Sequence, residues 1–146
     1  MNNTLKSILL GILAILVGMF LGGLVNMGLI MLSPGIIPLP EGVNPADVNS
    51  IKENIRLFET KNYIMPFLAH ALGTLVGAYV AVKLCNIFNV HKAGIYTALI
   101  IGLLFLWGGL ETSSQIGASS MATYVDAILA YIPFALLGYW IALKNS

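Results

Sequence analysis

Tyr63-Ile-Met-Pro-Phe-Leu-Ala-His-Ala-Leu-Gly-Thr-Leu-Val-Gly-Ala-Tyr-Val-Ala-Val-Lys-Leu (residues 63–84) decides the fold. It contains no Asp, Glu, Lys or Arg before Lys83. It is also as long as the ~20 residues an α-helix needs to cross a hydrocarbon core ~30 Å thick. Three further apolar runs of similar character, Leu5–Leu32, Ala93–Leu110 and Met121–Leu143, make a polytopic membrane protein the expectation. The expected fold class is all-α: four transmembrane helices in one domain spanning residues 1–146, with a single sizeable loop at 33–62.

Composition agrees. The chain is 58% hydrophobic and 9% charged, against about 25% charged in an ordinary soluble domain. A net charge of +1 offers no basic field for nucleic acid, so that partner class is excluded. The bilayer is the expected partner, and no cofactor is called for. Cys85 is the only cysteine and has no mate for an internal disulfide. It reads as an inert apolar thiol. The first run extends far beyond the 7–15 apolar residues of a signal peptide, and no A-x-A site follows it, so it is expected to remain as a helix.

Charge sets an expected orientation. Lys6, Lys83, Lys92 and Lys144 each sit at one end of an apolar run. With an even number of spans, both termini and the turn Cys85–Lys92 fall on one side. The positive-inside rule makes that side cytoplasmic, at a bacterial inner membrane. Lys52, Arg56 and Lys61 lie in the long loop but are interleaved with Glu41, Asp47, Glu53 and Glu59. Tyr63, Trp107 and Tyr124 toward the outer side, with Tyr96, Tyr139 and Trp140 toward the inner one, are expected as aromatic belts.

The loop has its own order. Pro34, Pro38, Pro40 and Pro45 predict extended backbone through its first part. Asn44 is expected as an N-cap with Pro45 at the first helical position. Val48, Ile51, Ile55 and Phe58 then make an apolar stripe opposite Lys52, Glu53 and Arg56, predicting a short amphipathic helix on the outer surface between helices 1 and 2. Pro133, mid-run, removes the donor for the carbonyl of Leu129 and predicts a bend.

Helices associate in lipid through close packing and interhelical hydrogen bonds. Gly18 with Gly22 and Gly73 with Gly77 are two G-x-x-x-G motifs, each in line with a polar residue (Asn26 and His70), and are expected at packed interfaces. Burying both glycine faces and all polar groups suggests a homo-oligomer, a dimer or a small ring.

Depth singles out the chemistry. Counting ~1.5 Å per residue, Asn26, His70 and Asp126 lie within the outer leaflet, Glu111 at its rim, and Thr74 one turn below His70. Ionisable groups inside a bilayer cost about 2.5–3.5 kcal/mol on insertion scales and usually face one another. Three readings compete for the set Asn26, His70, Thr74, Glu111 and Asp126. In the first, the pairs His70–Asp126 and Asn26–Glu111 merely hold helices together in an accessory or structural subunit. In the second, they bind or pass a cation, proton or small solute, with the identity of any metal left open. In the third, His70 is the base of an enzyme acting on a lipid or quinone. The third lacks a nucleophile–base–orienter arrangement, an H-E-x-x-H or a C-x-x-C.

Four stretches also carry a resemblance: Asn26-Met-Gly-Leu-Ile-Met-Leu, Ile37-Pro-Leu-Pro-Glu-Gly-Val, Phe67-Leu-Ala-His-Ala-Leu-Gly-Thr-Leu-Val-Gly-Ala and Asp126-Ala-Ile-Leu-Ala-Tyr-Ile-Pro. Together they resemble a family of small bacterial four-helix integral membrane proteins that has no assigned activity. The resemblance covers most of the chain and implies fold and compartment. It lends no active residue.

Overall fold

A computed structural model describes residues 3–144; the terminal pairs 1–2 and 145–146 lie outside it. Among the described residues the regular structure is all helical, without a strand. Helices α1 (Asn3–Ile36), α3 (Ile64–Ile87) and α4 (Gly94–Ile116) are continuous, and a short α2 (Val48–Asn54) lies in the long loop. The last apolar run is split into α5 (Ser120–Leu129) and α6 (Ile132–Lys144). Four segments are long and apolar enough to cross a membrane, with α5 and α6 together forming the fourth. Their outward faces are apolar as well, with Leu16, Phe20, Leu24, Trp107 and Ile128 all exposed. An apolar exterior of this extent suits lipid rather than water as the solvent.

The central helix is α3, which packs against α1, α4 and α6. Small residues let it do so. A Cβ built on Gly18 would lie 2.5 Å from the carbonyl oxygen of Gly77, and one on Gly22 would lie 2.5 Å from that of Gly73. On the opposite face, a Cβ on Gly138 of α6 would lie 2.5 Å from the carbonyl oxygen of Leu75. Backbones approach this closely only where no side chain intervenes. Both G-x-x-x-G faces are thereby consumed within one chain, so the glycine motifs supply no reason for a second copy. The core between these helices is made of small side chains, Ala14, Ala78, Ala81, Val82, Ala98 and Ala135, with Ile101 the largest among them.

Three local expectations are revised. Helix α1 does not stop before Pro34 but runs one turn further, to Ile36, closed by a bond from the Ile37 N–H to the Ser33 carbonyl at 2.8 Å. Proline has the φ a helix needs, and although it forfeits its N–H and crowds the carbonyl four residues back, the helix ends only two residues after it. The loop helix is capped by Asp47, whose carboxylate accepts from the Asn49 N–H, and Asn44 instead closes a turn by accepting from Ala46. Helix α4 continues beyond Glu111 to Ile116, so Thr112–Gln115 are helical. The turn to α5 is formed by Gly117, at φ +70°, and by Ser119, which caps α5 through the Ala122 N–H.

The remaining loop is tied down at Asn62. This buried amide donates to the Pro38 carbonyl at 3.1 Å and accepts from the Glu59 N–H at 2.8 Å, pinning the proline-rich stretch to the turn just before α3. At the other end of the bundle, the Lys144 ammonium lies 4.1 Å from the centroid of the Trp140 ring.

Candidate functional site

The bend predicted from Pro133 is a full break at Ala130–Tyr131. Its consequence is chemical. In a regular helix, residues five apart point about 140° away from each other, so Asp126 and Tyr131 would not meet. Across the break they do: the Tyr131 hydroxyl donates to Asp126 Oδ2 at 2.6 Å. His70, projecting from α3, completes the group, with its Nδ1 2.7 Å from the same carboxylate oxygen and 3.0 Å from the Tyr131 hydroxyl. The imidazole stacks on the phenol ring, centroids 5.6 Å apart and planes 27° from parallel.

With Asp126 ionised, these distances favour one arrangement of the hydrogens. The hydroxyl hydrogen of Tyr131 is committed to Asp126. A bare Nδ1 would then face a carboxylate lone pair at 2.7 Å, so for an ionised Asp126 Nδ1 carries the hydrogen. Nε2 is left as the basic atom of the neutral ring. Two donors converge on Oδ2, while Asp126 Oδ1 is buried and has no partner among the described residues. An unmade hydrogen bond at a buried acceptor costs about 1–3 kcal/mol.

The pocket for Tyr131 is cut by a glycine. Its side chain is 99% buried against α4, where a Cβ on Gly109 would overlap the phenol oxygen and lie 2.6 Å from Cζ. Only residue 109 without a side chain leaves room for the ring beside His70.

A cleft of about 260 Å³ opens next to the triad, between α1, α3 and α4. His70, Asn26 and Thr112 give it polar groups, and Met19, Leu104 and Phe105 give it apolar walls. Gly108 and Gly109 leave part of the α4 wall without side chains. Of the three hydrogen-bonded residues, His70 is the one that borders the cleft. The carbonyl oxygen of Asn26 is the second buried acceptor without a partner among the described residues. Triad and cleft both lie toward the end of the bundle that carries the long loop, since His70 is in the second turn of α3 and Asp126 in the second turn of α5.

The remaining residues singled out from the sequence fall elsewhere. Thr74 is fully buried, and its hydroxyl donates to the backbone carbonyl of His70 at 2.7 Å, a bond within the helix that does not reach the imidazole. Glu111 is exposed and accepts from Gln115 on its own helix at 3.1 Å, so the pair with Asn26 does not form. Asn26 packs instead against Gly73, whose Cβ would lie 2.9 Å from that of Asn26. No three His, Cys, Asp or Glu side chains converge as a metal-ligand set among the described residues. Cys85 is buried, its sulfur 3.8 Å from the Thr97 hydroxyl.

No protein-family model matches the sequence, and neither the curated proteins nor the solved structures contain a match to the chain.

Proposed function

We propose that the protein is a small multi-pass protein of a bacterial inner membrane, both termini cytoplasmic, that binds or passes a proton, cation or small solute. The site is His70, Asp126 and Tyr131 together with the adjoining cleft, opening outward. One observation carries this: an imidazole and a carboxylate share a hydrogen bond inside apolar spans, and the imidazole borders a cleft. Ionisable groups in a membrane core are costly, and pairs of them at a cavity suit proton or cation handling. Histidine is the side chain that changes charge near neutral pH. A proton arriving from the cleft is taken up by His70, the member of the group that borders it, at the free Nε2. The ring can then release its Nδ1 hydrogen toward Asp126, with Tyr131 holding both groups in line. The loop helix α2, which packs on α4, is the outer cap of the bundle in this scheme.

The orientation is tested by labelling introduced cysteines in whole cells in a Cys85→Ala background: Ser114→Cys should react with an impermeant reagent, and Lys92→Cys should not. The activity is tested in proteoliposomes holding a pH-sensitive dye under an imposed gradient. Proton entry above that of empty vesicles is expected, and Asp126→Asn and His70→Gln should remove most of it.

A purely structural role is the alternative. What favours it is that the three polar side chains find partners chiefly in one another, as interhelical glue does. Vesicles no leakier than empty ones, with and without the substitutions, would favour that role.

A further inference from the structure

We infer that the cleft beside His70 takes a small primary-ammonium cation, a donor-bearing headgroup on a short apolar tail. The inference rests on the site proposed above and narrows its ligand class. Four observations converge on it.

Size is the first. At about 30 Å³ per water, a cleft of about 260 Å³ has room for roughly eight non-hydrogen atoms. A bare proton needs no such space. Donor chemistry is the second. A dehydrated metal ion needs several ionised or imidazole ligands, and no such set of three converges among the described residues. Hydrogen-bonding balance is the third. The hydroxyl hydrogens of Thr112 and Tyr131 are already given to the Gly108 carbonyl and to Asp126, and with Asp126 ionised Nδ1 of His70 gives its own to Asp126. Left over are three acceptors, Nε2 of His70, the unpartnered Asn26 Oδ1 and Asp126 Oδ1, beside the N–H pair of the Asn26 amide. A ligand that brings several N–H donors and one positive charge complements that set, whereas an anion does not.

Charge distribution is the fourth. All six acids belong to the loop end of the bundle or to the site: Glu41, Asp47, Glu53 and Glu59 in the loop, Glu111 on α4, and Asp126. Against Lys52, Arg56 and Lys61, the loop with Glu111 carries five acids and three bases. The other end carries Lys6, Lys83, Lys92 and Lys144 without an acid. A negative mouth raises the local concentration of cations and repels anions. The apolar walls, Met19, Leu104 and Phe105, suit a short alkyl chain, and an aromatic wall is compatible with a cation beside it.

Gly108 provides the blocking variant. It borders the cleft, and a Cβ there meets nothing within 4 Å, so Gly108→Leu adds bulk at the cleft wall without a clash at its first atom. Purified wild-type protein in mild detergent near neutral pH is titrated calorimetrically with n-butylammonium chloride, sodium butyrate, n-butanol and tetramethylammonium chloride. Saturable binding of n-butylammonium is expected, with the other three at least about tenfold weaker, the worth of a charge-assisted hydrogen bond. Gly108→Leu and Asp126→Asn should each weaken it about tenfold or more, with Gly108→Leu keeping the wild-type melting transition. Butyrate binding as well as butylammonium, or wild-type affinity in Gly108→Leu, would overturn the inference. So would absence of amine binding in protein whose vesicles still admit protons, which would leave the proposed function standing. Absence of both amine binding and proton entry would remove the two together.

Discussion

The phenol oxygen of Tyr131 rests on the backbone of Gly109, at a spot where a Cβ on residue 109 would overlap it. Gly109→Ala must therefore push Tyr131 out of its place beside His70 and Asp126. Overpacking of this kind costs about 1–3 kcal/mol, which outweighs the gain of about 1 kcal/mol from replacing a helical glycine by alanine. The variant should melt at a lower temperature in detergent. Adding Tyr131→Phe, which removes the overlapping oxygen, should recover part of the loss. A Gly109→Ala variant as stable as wild type would show that the ring does not sit there.

The contact between α1 and α3 makes a second, position-specific prediction. Gly22→Ala places a methyl 2.5 Å from the Gly73 carbonyl oxygen and 3.1 Å from the Gly77 Cα, neither of which can swing aside. It should destabilise by at least the 1–3 kcal/mol of ordinary overpacking. Gly23→Ala and Gly28→Ala, on the same helix but with nothing within 4 Å, should be neutral or stabilising by up to about 1 kcal/mol. Melting temperatures of the three variants in one detergent test the register directly.

Much of this architecture is legible in the sequence, and the exceptions have definite causes. Apolar length picks out the four helices able to cross a membrane, because runs like 63–84 match the length that a hydrocarbon core requires. Glycine spacing points to the faces of α1 and α3 that meet. Helix ends are harder: α1 passes through Pro34 and ends two residues later, although proline removes a donor and crowds the preceding turn. The loop helix begins after Asp47 rather than Asn44 because the Asn44 side chain is taken up in a tighter turn, accepting from the Ala46 N–H. Within the site, His70 and Asp126 announce themselves as ionisable groups in apolar runs. Tyr131 does not, since its meeting with Asp126 depends on how far the chain turns at the break, which Pro133 permits but does not specify. Glu111 misleads because α4 continues past it, leaving it on the exposed surface.

A third prediction concerns energetic coupling. His70→Ala and Asp126→Ala each strand a partner, so the double variant should cost less than the two single costs added. Interhelical hydrogen bonds in membranes average about 0.6 kcal/mol. With two donors on one carboxylate oxygen, the coupling here is expected at about 1–2 kcal/mol. It is measured as the departure from additivity in unfolding free energy across the four proteins. Additive costs would mean the two side chains do not meet.

The most direct test of the account asks whether the buried group exchanges protons with the aqueous phase. Reconstituted protein is taken from about pH 8 to about pH 5, the range in which an imidazole changes charge, and difference infrared spectra are recorded. A reversible change in imidazole and carboxyl bands is predicted, abolished by His70→Gln and altered by Asp126→Asn. Spectra that do not change over this range, or that change identically in wild type and in His70→Gln, would contradict a proton-exchanging site and leave the His70–Asp126 contact as structural glue.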